Sequence, residues 1–567
     1  MTAGTTSALP RVVAGIRTFN VRRLAPAGVG FVLVLPSLVW AFRDHSIWPW
    51  DPAWYGEVSV DLWATLRMDA GTWGTAMAHA FGAKPPAIAW LGQFFVPFGG
   101  IVGGDPTALL LSIVVTQAAI IGLVFAACRR LGLSDLAAGL GALLVAASPL
   151  FISMSHEYFA EPIQTLAIAW ALFALASATR WPIALTAVQI PGIVSLAMLA
   201  KLSSPAYIAA PLLAMMFLAM LGPVGGRPAS PAFWRDWRVI ASAVVSIVLG
   251  YGAASWYAIN QQAAIAHARL AGADTGLYGV NKGFVKQLPD WIRHLRDVSF
   301  LPHLGFAILI LAAAALALLI GRRGIKPTLD PRFVMAVTCF VTVAVVLVLF
   351  AAQPNDEVRY LLGLIPFVAI FVAIMIDASN SRSLALVAAV VLVAEFGLGE
   401  LQSFGQKPIG SLTYPTLSSP ARETAFAKEL DQVVDETCTA DLAGRINMVG
   451  ADYGWFNHNT IEMLAFERYA VSGRRCYYTA LGYAENDTEA AWTRLQQYQS
   501  PYYISIDYGS KSNPLPADRK VLVVPSDPFN VVNTAIYQRV KASGTYKPVP
   551  GTRDDGLVVL KLVKSTG

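Results

Sequence analysis

Trp48-Pro49-Trp50-Asp51-Pro52-Ala53-Trp54-Tyr55-Gly56-Glu57 lies just beyond an apolar run, Ala27–Phe42, and well before a second, Ala108–Cys128. The segment between the two runs, about Arg43 to Pro106, is too long and too aromatic for a simple connector. It holds Trp48, Trp50, Trp54, Trp63, Trp73 and Trp90, together with His79 and Lys84-Pro85-Pro86. Apolar runs of this kind recur along the chain: Leu136–Met154, Ile163–Ala178, Leu185–Ala200, Tyr207–Leu221, Val239–Trp256, Leu304–Ile320, Phe333–Ala352, Leu361–Ile376 and Leu384–Phe396. A membrane span needs about 20 mostly apolar residues. The pattern predicts an α-helical polytopic membrane protein with about eleven transmembrane helices.

Composition agrees. Of the 567 residues, 55% are hydrophobic and 14% charged, against roughly a quarter charged in a soluble domain. Mean hydropathy is +0.53, so lipid must be part of the solvent. The net charge of +6 follows from where Lys and Arg sit, which excludes a nucleic-acid surface. Arg22/Arg23, Arg129/Arg130, Arg180, Arg227/Arg235/Arg238, Arg322/Arg323/Lys326 and Arg382 flank alternate runs. Basic loops stay inside, which predicts a plasma (inner) membrane protein with a cytoplasmic N-terminus. The first run is read as an uncleaved span, because no small-x-small cleavage pattern follows it. Pro85–Val102 is read as an amphipathic or partly buried helix at the outer interface.

Residues 1–400 thus form a membrane module, with its long outer loop at 43–106. Residues 401–567 form a polar tail in which strand-like runs (Ile446–Gly450, Tyr502–Asp507, Val521–Pro525, Leu557–Val563) alternate with helix-like runs (Arg422–Thr437, Thr488–Gln499). This predicts a C-terminal extracytoplasmic α/β domain. Cys128 and Cys339 lie in apolar runs as packing residues. Cys438 and Cys476 lie in the tail, where an oxidising compartment would let them pair. Asn486-Asp487-Thr488 is a formal sequon.

Asp-x-Ala-x-Tyr-x-Glu (Asp51, Ala53, Tyr55, Glu57) after the first span, then Lys84-Pro85-Pro86, resembles the membrane glycosyltransferases of the GT-C fold. In pattern the chain is similar to the protein O-mannosyltransferase group, which includes the lipid A aminoarabinose transferases. Arg359-Tyr360-Leu361-Leu362 at a late span and Lys201 at the end of the fifth extend the resemblance over about Met1 to Glu400. Where that group has an Asp-Glu pair, this chain has Asp51-Pro52, with Glu57 the nearest second carboxylate. The tail carries no such motif.

The resemblance implies a polyprenyl-phosphate sugar donor and a lipid, polysaccharide (glycan) or protein acceptor at the outer face, among membrane lipids. No glycine-rich nucleotide loop is present, which agrees with a donor delivered by lipid. Such a reaction needs a base for the acceptor hydroxyl and cations for the departing phosphate. Asp51 is the candidate base, with helix N-capping as its bland role. Glu57 is its candidate partner. Lys84, Lys201 and Arg359 are the candidate phosphate ligands. Positive charge at the outer ends of spans runs against the topological bias, although Asp356 and Glu357 adjoin Arg359 as local partners.

Glu161, His156, Tyr55, Trp54 and His79 are the candidate acceptor and sugar contacts. Part of the tryptophan set is an interfacial belt; the rest would stack sugars. Glu161-Pro162 also reads as a favoured helix start. His156 with Glu157 and Glu161 would be the place for a divalent cation, a cofactor only some GT-C enzymes use; no metal site is assigned. His267, Arg269, Lys282, Lys286, Arg293, His294 and Arg296, in Tyr257–His303, form a cationic stretch. It suits either the donor phosphate or anionic lipid heads. That loop keeps open a polysaccharide ligase or polymerase with a lipid-pyrophosphate donor. A lipid-carrier transporter is the other alternative, although such proteins place charges near the bilayer midplane in repeated halves.

Overall fold

The computed structural model describes residues 24–44, 47–181, 183–221, 237–273, 281–299, 330–355, 357–405, 427–442, 444–481, 487–506, 528–549 and 557–562. The first apolar run forms α1 (Ala25–Leu33) and α2 (Leu35–Ala41). They part at Val34, before Pro36, because proline cannot continue the helical hydrogen-bond ladder. The long loop then builds α3 (Trp50–Met68), α4 (Ala70–His79) and the short α5 (Ala87–Gly92) and α6 (Gly99–Val102). Pro85–Val102 is therefore a string of short turns rather than one helix.

The helix α7 (Asp105–Arg130) runs through the middle of the bundle. Glycine lets α1 approach it to backbone contact. A methyl on Gly30 would lie 2.2 Å from the Ala118 carbonyl oxygen, and one on Gly122 2.9 Å from that of Pro26. The run Leu136–Met154 becomes α8 (Asp135–Ala147) and α9 (Pro149–Ser155), bent by 61°. Pro149 breaks the ladder, and the Ser148 hydroxyl accepts from Phe151 N to start the new helix. The bend delivers the turn His156–Ala160 to the N-terminus of α10 (Glu161–Ser177).

Beyond it come α11 (Ile183–Ala200), α12 (Pro205–Leu221), α13 (Trp237–Ala271), α14 (Phe284–Ser299) and α15 (Pro331–Ala351). A 3-10 turn, Val358–Leu364, leads into α16 (Ile365–Ala378), and α17 (Arg382–Gly405) follows. The expected span Leu304–Ile320 lies outside the described residues, as do Asp356, Val521–Pro525 and Asn486. Helix α13 extends well past the expected end at Trp256, so Tyr257, His267 and Arg269 are helical rather than in a loop.

Among the described residues five helices are long and apolar enough to cross a membrane, or six if the bent pair is one span. About eleven were expected. Part of the difference is the run Leu304–Ile320, which lies outside the described residues; the rest falls on shorter apolar helices, several of them cut or entered by proline, among them Pro36, Pro149, Pro191 and Pro211. Ile247, Val248 and Tyr251 on α13, Phe340 on α15 and Val390 on α17 are more than 60% exposed in the isolated chain. Apolar surface costs roughly 25 cal/mol per Å² in water; hydrocarbon is the solvent for these faces. The chain is a multi-pass membrane protein.

The tail folds as α18 (Ala427–Thr437), β1 (Ile446–Gly450), α19 (His458–Tyr469), β2 (Tyr477–Ala480), α20 (Thr488–Tyr498), β3 (Tyr502–Ile506), α21 (Pro528–Ser543), β4 (Tyr546–Pro548) and β5 (Leu557–Leu562). The sheet order is β2-β1-β3-β5-β4. β1 pairs in parallel with β2 and β3, while β5 runs antiparallel to β3 and β4. β3 is buried along its whole length, as a strand covered on both faces must be. Cys438 and Cys476 form a disulfide that ties the end of α18 to the start of β2. Cys128 and Cys339 are buried and free.

The α/β unit docks on the long loop. Met463 of α19 packs against Gly56, where a methyl would lie 2.8 Å from its sulfur. Arg475 donates from Nε to Asp61 Oδ1 at 2.6 Å and from Nη2 to Thr65 Oγ1 at 2.7 Å.

Candidate active site

Three cations, Lys84, Lys201 and Arg359, meet the carboxylates of Asp51, Glu161 and Glu357. Asp51 is the second residue of α3, in the first turn, where the helix dipole favours an anion. It is not the N-cap; that position is Pro49. Lys84 Nζ donates to Asp51 Oδ1 at 2.6 Å, and Arg359 Nη2 lies 3.5 Å from Asp51 Oδ2. The Arg359 Nε is 3.2 Å from Glu161 Oε1 and 3.5 Å from Glu357 Oε2. Lys201 Nζ donates to Glu161 Oε1 at 2.5 Å. Four expected residues from distant parts of the chain, Asp51, Lys84, Lys201 and Arg359, thus share one network, with Glu161 at its base.

Asp51 and Glu161 differ in access. The Asp51 side chain is 28% exposed and that of Glu161 is 3%. Asp51 can meet a substrate. Glu161 lies beneath Lys201 and Arg359 as their counter-ion, which is a different place from the sugar contact expected of it. Burial pushes the Asp51 carboxyl up, but Lys84, Arg359 and Lys201 and the hydrogen bond from Lys84 outweigh it and hold it at about 2. Burial draws the Lys84 ammonium down, against the upward pull of Asp51.

Aromatic rings wall the cluster. Lys84 Nζ lies 4.8 Å from the Trp54 ring centre and 5.3 Å from that of Tyr55. Lys201 Nζ lies 3.7 Å from the Tyr360 ring, and the Arg359 guanidinium 4.5 Å from that of Phe159. Such faces stabilise cations by electrostatics and exclude water.

A constrained turn sets Lys84. Phe81 has φ +61°, a left-handed conformation unusual for a bulky residue, and Gly82 follows at +65°. The Phe81 ring stands edge-on to both Trp54 and Tyr55, 5.4 and 5.3 Å away. From α13, Trp256 Nε1 donates to Ala80 O at 2.9 Å and Asn260 Nδ2 to Ala78 O at 2.7 Å. His267, farther along α13, has Lys84 and Asp51 as charged neighbours. Phe81 and Phe159 are not marked by the sequence motifs, and Tyr360 enters there only as part of Arg359-Tyr360-Leu361-Leu362. The Arg359-Tyr360 adjacency was the available signal for one of them, and nothing local marks the other two.

Other expectations are corrected. Glu57 does not support Asp51. Six residues along a helix turn it elsewhere, and its charged neighbours are Glu462, Asp61 and Arg475. His156 stacks on Trp40 at 3.8 Å and its Nδ1 lies 2.9 Å from Ser403 Oγ. It belongs to the α2–α9–α17 contact rather than to the sugar site. His79 is exposed and its Nδ1 bonds Thr75 O within α4. Of the tryptophans, Trp54 joins the site. Trp48 is buried, and Trp73 and Trp90 bond Gln93 and Met77 within the loop.

Among the described residues no group of three or more His, Cys, Asp and Glu side chains could hold a metal ion.

No protein-family model matches the sequence, and no curated protein matches it. Solved structures do. ArnT from Cupriavidus metallidurans bound to undecaprenyl phosphate superposes with a TM-score of 0.55 at 15% identity, over 96% of this chain and 98% of that one. Its apo state gives 0.53 at 14% identity over the same shares. The Archaeoglobus fulgidus oligosaccharyltransferase, in complex with zinc and sulfate, gives 0.48 at 12% identity, over 84% of this chain and 68% of that one. At such identities the likeness to ArnT establishes the fold, which is GT-C.

Proposed function

We propose that this chain is a glycosyltransferase that moves a sugar from a polyprenyl-phosphate donor to a lipid, polysaccharide or protein acceptor at the outer face of the membrane. The observation that carries the reading is the junction of Asp51 with Lys84 and Arg359, underlain by Glu161 and Lys201. ArnT, the structure this chain resembles over nearly its whole length, was solved with undecaprenyl phosphate bound. A lipid phosphate at this junction would find two cations facing it and aromatic walls for the sugar and the first lipid atoms.

In the proposed step the acceptor hydroxyl gives its proton to Asp51. Its oxygen forms a bond to the anomeric carbon, and the carbon–oxygen bond to the phosphate breaks. The electron pair leaves with the lipid phosphate. That group passes from one negative charge toward two, and Lys84 and Arg359, with Lys201 behind them, stabilise the charge as it grows. Binding of the phosphate competes with Asp51 for Lys84 and Arg359, so the donor would release the base from its resting pairing.

Purified protein in nanodiscs, incubated with a panel of polyprenyl-phosphate sugars and envelope acceptors, tests the reading through release of lipid phosphate. Consumption of one donor that is lost in Asp51→Asn supports it. An inert panel under every acceptor condition overturns it.

A further inference from the structure

The N-terminus of α3 carries Asp51 yet has no side-chain cap of its own. The N-cap residue is Pro49, which offers no hydrogen-bonding side chain. The residues on either side of Pro49 are instead gripped by the α/β domain. Thr460 Oγ1 donates to Trp48 O at 2.8 Å, and Asp452 Oδ1 accepts from Trp50 Nε1 at 2.6 Å. Gly454 lies against the Trp50 ring, where a methyl would come to 3.5 Å.

The gripping loop is itself braced. It joins the carboxyl end of β1 to α19. Asn457, fully buried, accepts from Thr460 N at 3.1 Å and donates to Tyr453 O at 2.9 Å. Tyr453 and Phe456 exchange backbone hydrogen bonds at 3.0 and 3.1 Å. On the opposite side Trp48 stacks on Tyr158, ring centres 5.4 Å apart. The segment Trp48-Pro49-Trp50 is therefore held between the helical bundle and the domain's β1–α19 loop with the first turn of α19, next to Asp51.

We infer that Asp452 and Thr460 are positioning residues for Asp51, so that the α/β domain sets the aim of the carboxylate as well as standing beside it. The inference rests on the proposed role of Asp51. Misplacing a reacting group by about 1 Å can cost about 100-fold in rate. Loss of either grip releases the first turn of α3, while Lys84, Arg359 and Lys201 stay on their own elements to hold the donor.

The test uses full-length protein in nanodiscs with two readouts. Hydrogen–deuterium exchange of the peptide spanning 48–58 reports the grip and needs no substrate. Donor-dependent turnover reports its consequence. Asp452→Ala and Trp50→Phe should each speed exchange at the start of α3 and lower kcat about tenfold or more, with donor KM within about twofold. The double variant should be no worse than either single one, since both remove the same bond. Asp452→Asn, which keeps an acceptor oxygen, should restore both readouts. Thr460→Val provides a second, independent release. Unchanged exchange in Asp452→Ala and Thr460→Val overturns the inference. So does faster exchange with unaltered kcat. If the wild type transfers no sugar, the transferase reading fails by itself, and the exchange arm still decides whether the domain holds this helix.

Discussion

Lys84 Nζ lies 2.6 Å from Asp51 Oδ1, so the residue proposed to hold the phosphate is paired at rest with the residue proposed to take the proton. This pairing, with Arg359, keeps the Asp51 carboxyl at about 2 in the free protein despite burial. A bound donor phosphate draws both cations away and moves that value upward. The acid limb of kcat/KM, which reports the free enzyme, should therefore lie at lower pH than the limb of kcat, which reports the complex. Rate profiles from about pH 3 to pH 7 check this: kcat should fall off on the acid side within that range while kcat/KM stays level. Coincident limbs would mean that the donor does not displace the pair. The same depressed value contributes stability above the ordinary carboxylate range, and that contribution is lost as pH falls toward about 2.

Glu161 holds two cations from beneath while itself 3% exposed. Removing one partner of a buried pair leaves an uncompensated charge, at a cost of about 3 kcal/mol or more. Glu161→Gln should lower the thermal midpoint and weaken donor binding together. Asp51→Asn, at the more exposed carboxylate, should lower turnover and cost less stability than Glu161→Gln. Thermal unfolding beside donor-binding measurements separates the two. Equal stability losses would contradict the assignment of Glu161 as counter-ion.

Glu57 and Glu462 face each other's charge where α3 meets α19. Burial, then their mutual repulsion and Asp61, push the Glu57 carboxyl well up, with Arg475 acting the other way; burial likewise raises Glu462. A carboxyl raised in the folded state binds its proton more tightly there than in the unfolded chain. Its contribution is present at low pH and lost as pH rises through the raised value. Glu57→Gln should therefore leave stability nearly unchanged at pH below the ordinary carboxylate range and raise the thermal midpoint by a margin that grows as pH rises above it. A midpoint difference that does not grow with pH would contradict this account of the joint.

The Cys438–Cys476 bridge closes a loop with a sequence separation of 38. Chain-entropy reasoning gives it about 4 kcal/mol of stabilisation. Its reduction should loosen the α/β domain first, since Arg474, two residues before Cys476, donates to Cys438 O, and Arg475, next to Cys476, docks on Asp61 and Thr65. Limited proteolysis before and after reductant, with cleavage appearing in residues 427–481, checks this. Unchanged resistance would show that packing alone holds the domain.

Much of the site was legible because its residues stand at helix ends with recognisable grammar. Asp51-Pro52 starts a helix, Lys84-Pro85-Pro86 ends a turn, and Lys201 and Arg359 bound apolar runs. The role of Glu161 was not legible, since it depends on Arg359, about 200 residues away in the chain. His156, in the acidic turn beside Glu157 and Glu161, and His79 have the chemistry of site residues in sequence; stacking on Trp40 and a local bond to Thr75 O absorb them. The strands β2 and β4 are short, and α19 is buried on both the sheet side and the α3 side. None of them shows a one-sided apolar pattern for a sequence reading to find. The number of spans among the described residues is hard to read from sequence for a related reason. Prolines inside apolar runs bend or shorten helices without changing their hydropathy.

The central claim is that Asp51 and the cations around it transfer a sugar from a polyprenyl-phosphate donor. The most direct measurement is release of lipid phosphate from a donor panel by wild type, Asp51→Asn and Lys84→Met in nanodiscs. The account predicts turnover of one donor by the wild type and a loss of about 100-fold or more in Asp51→Asn with donor still bound. It predicts weakened donor binding in Lys84→Met. Full turnover in Asp51→Asn, or a wild type that consumes no donor with any acceptor, would contradict it.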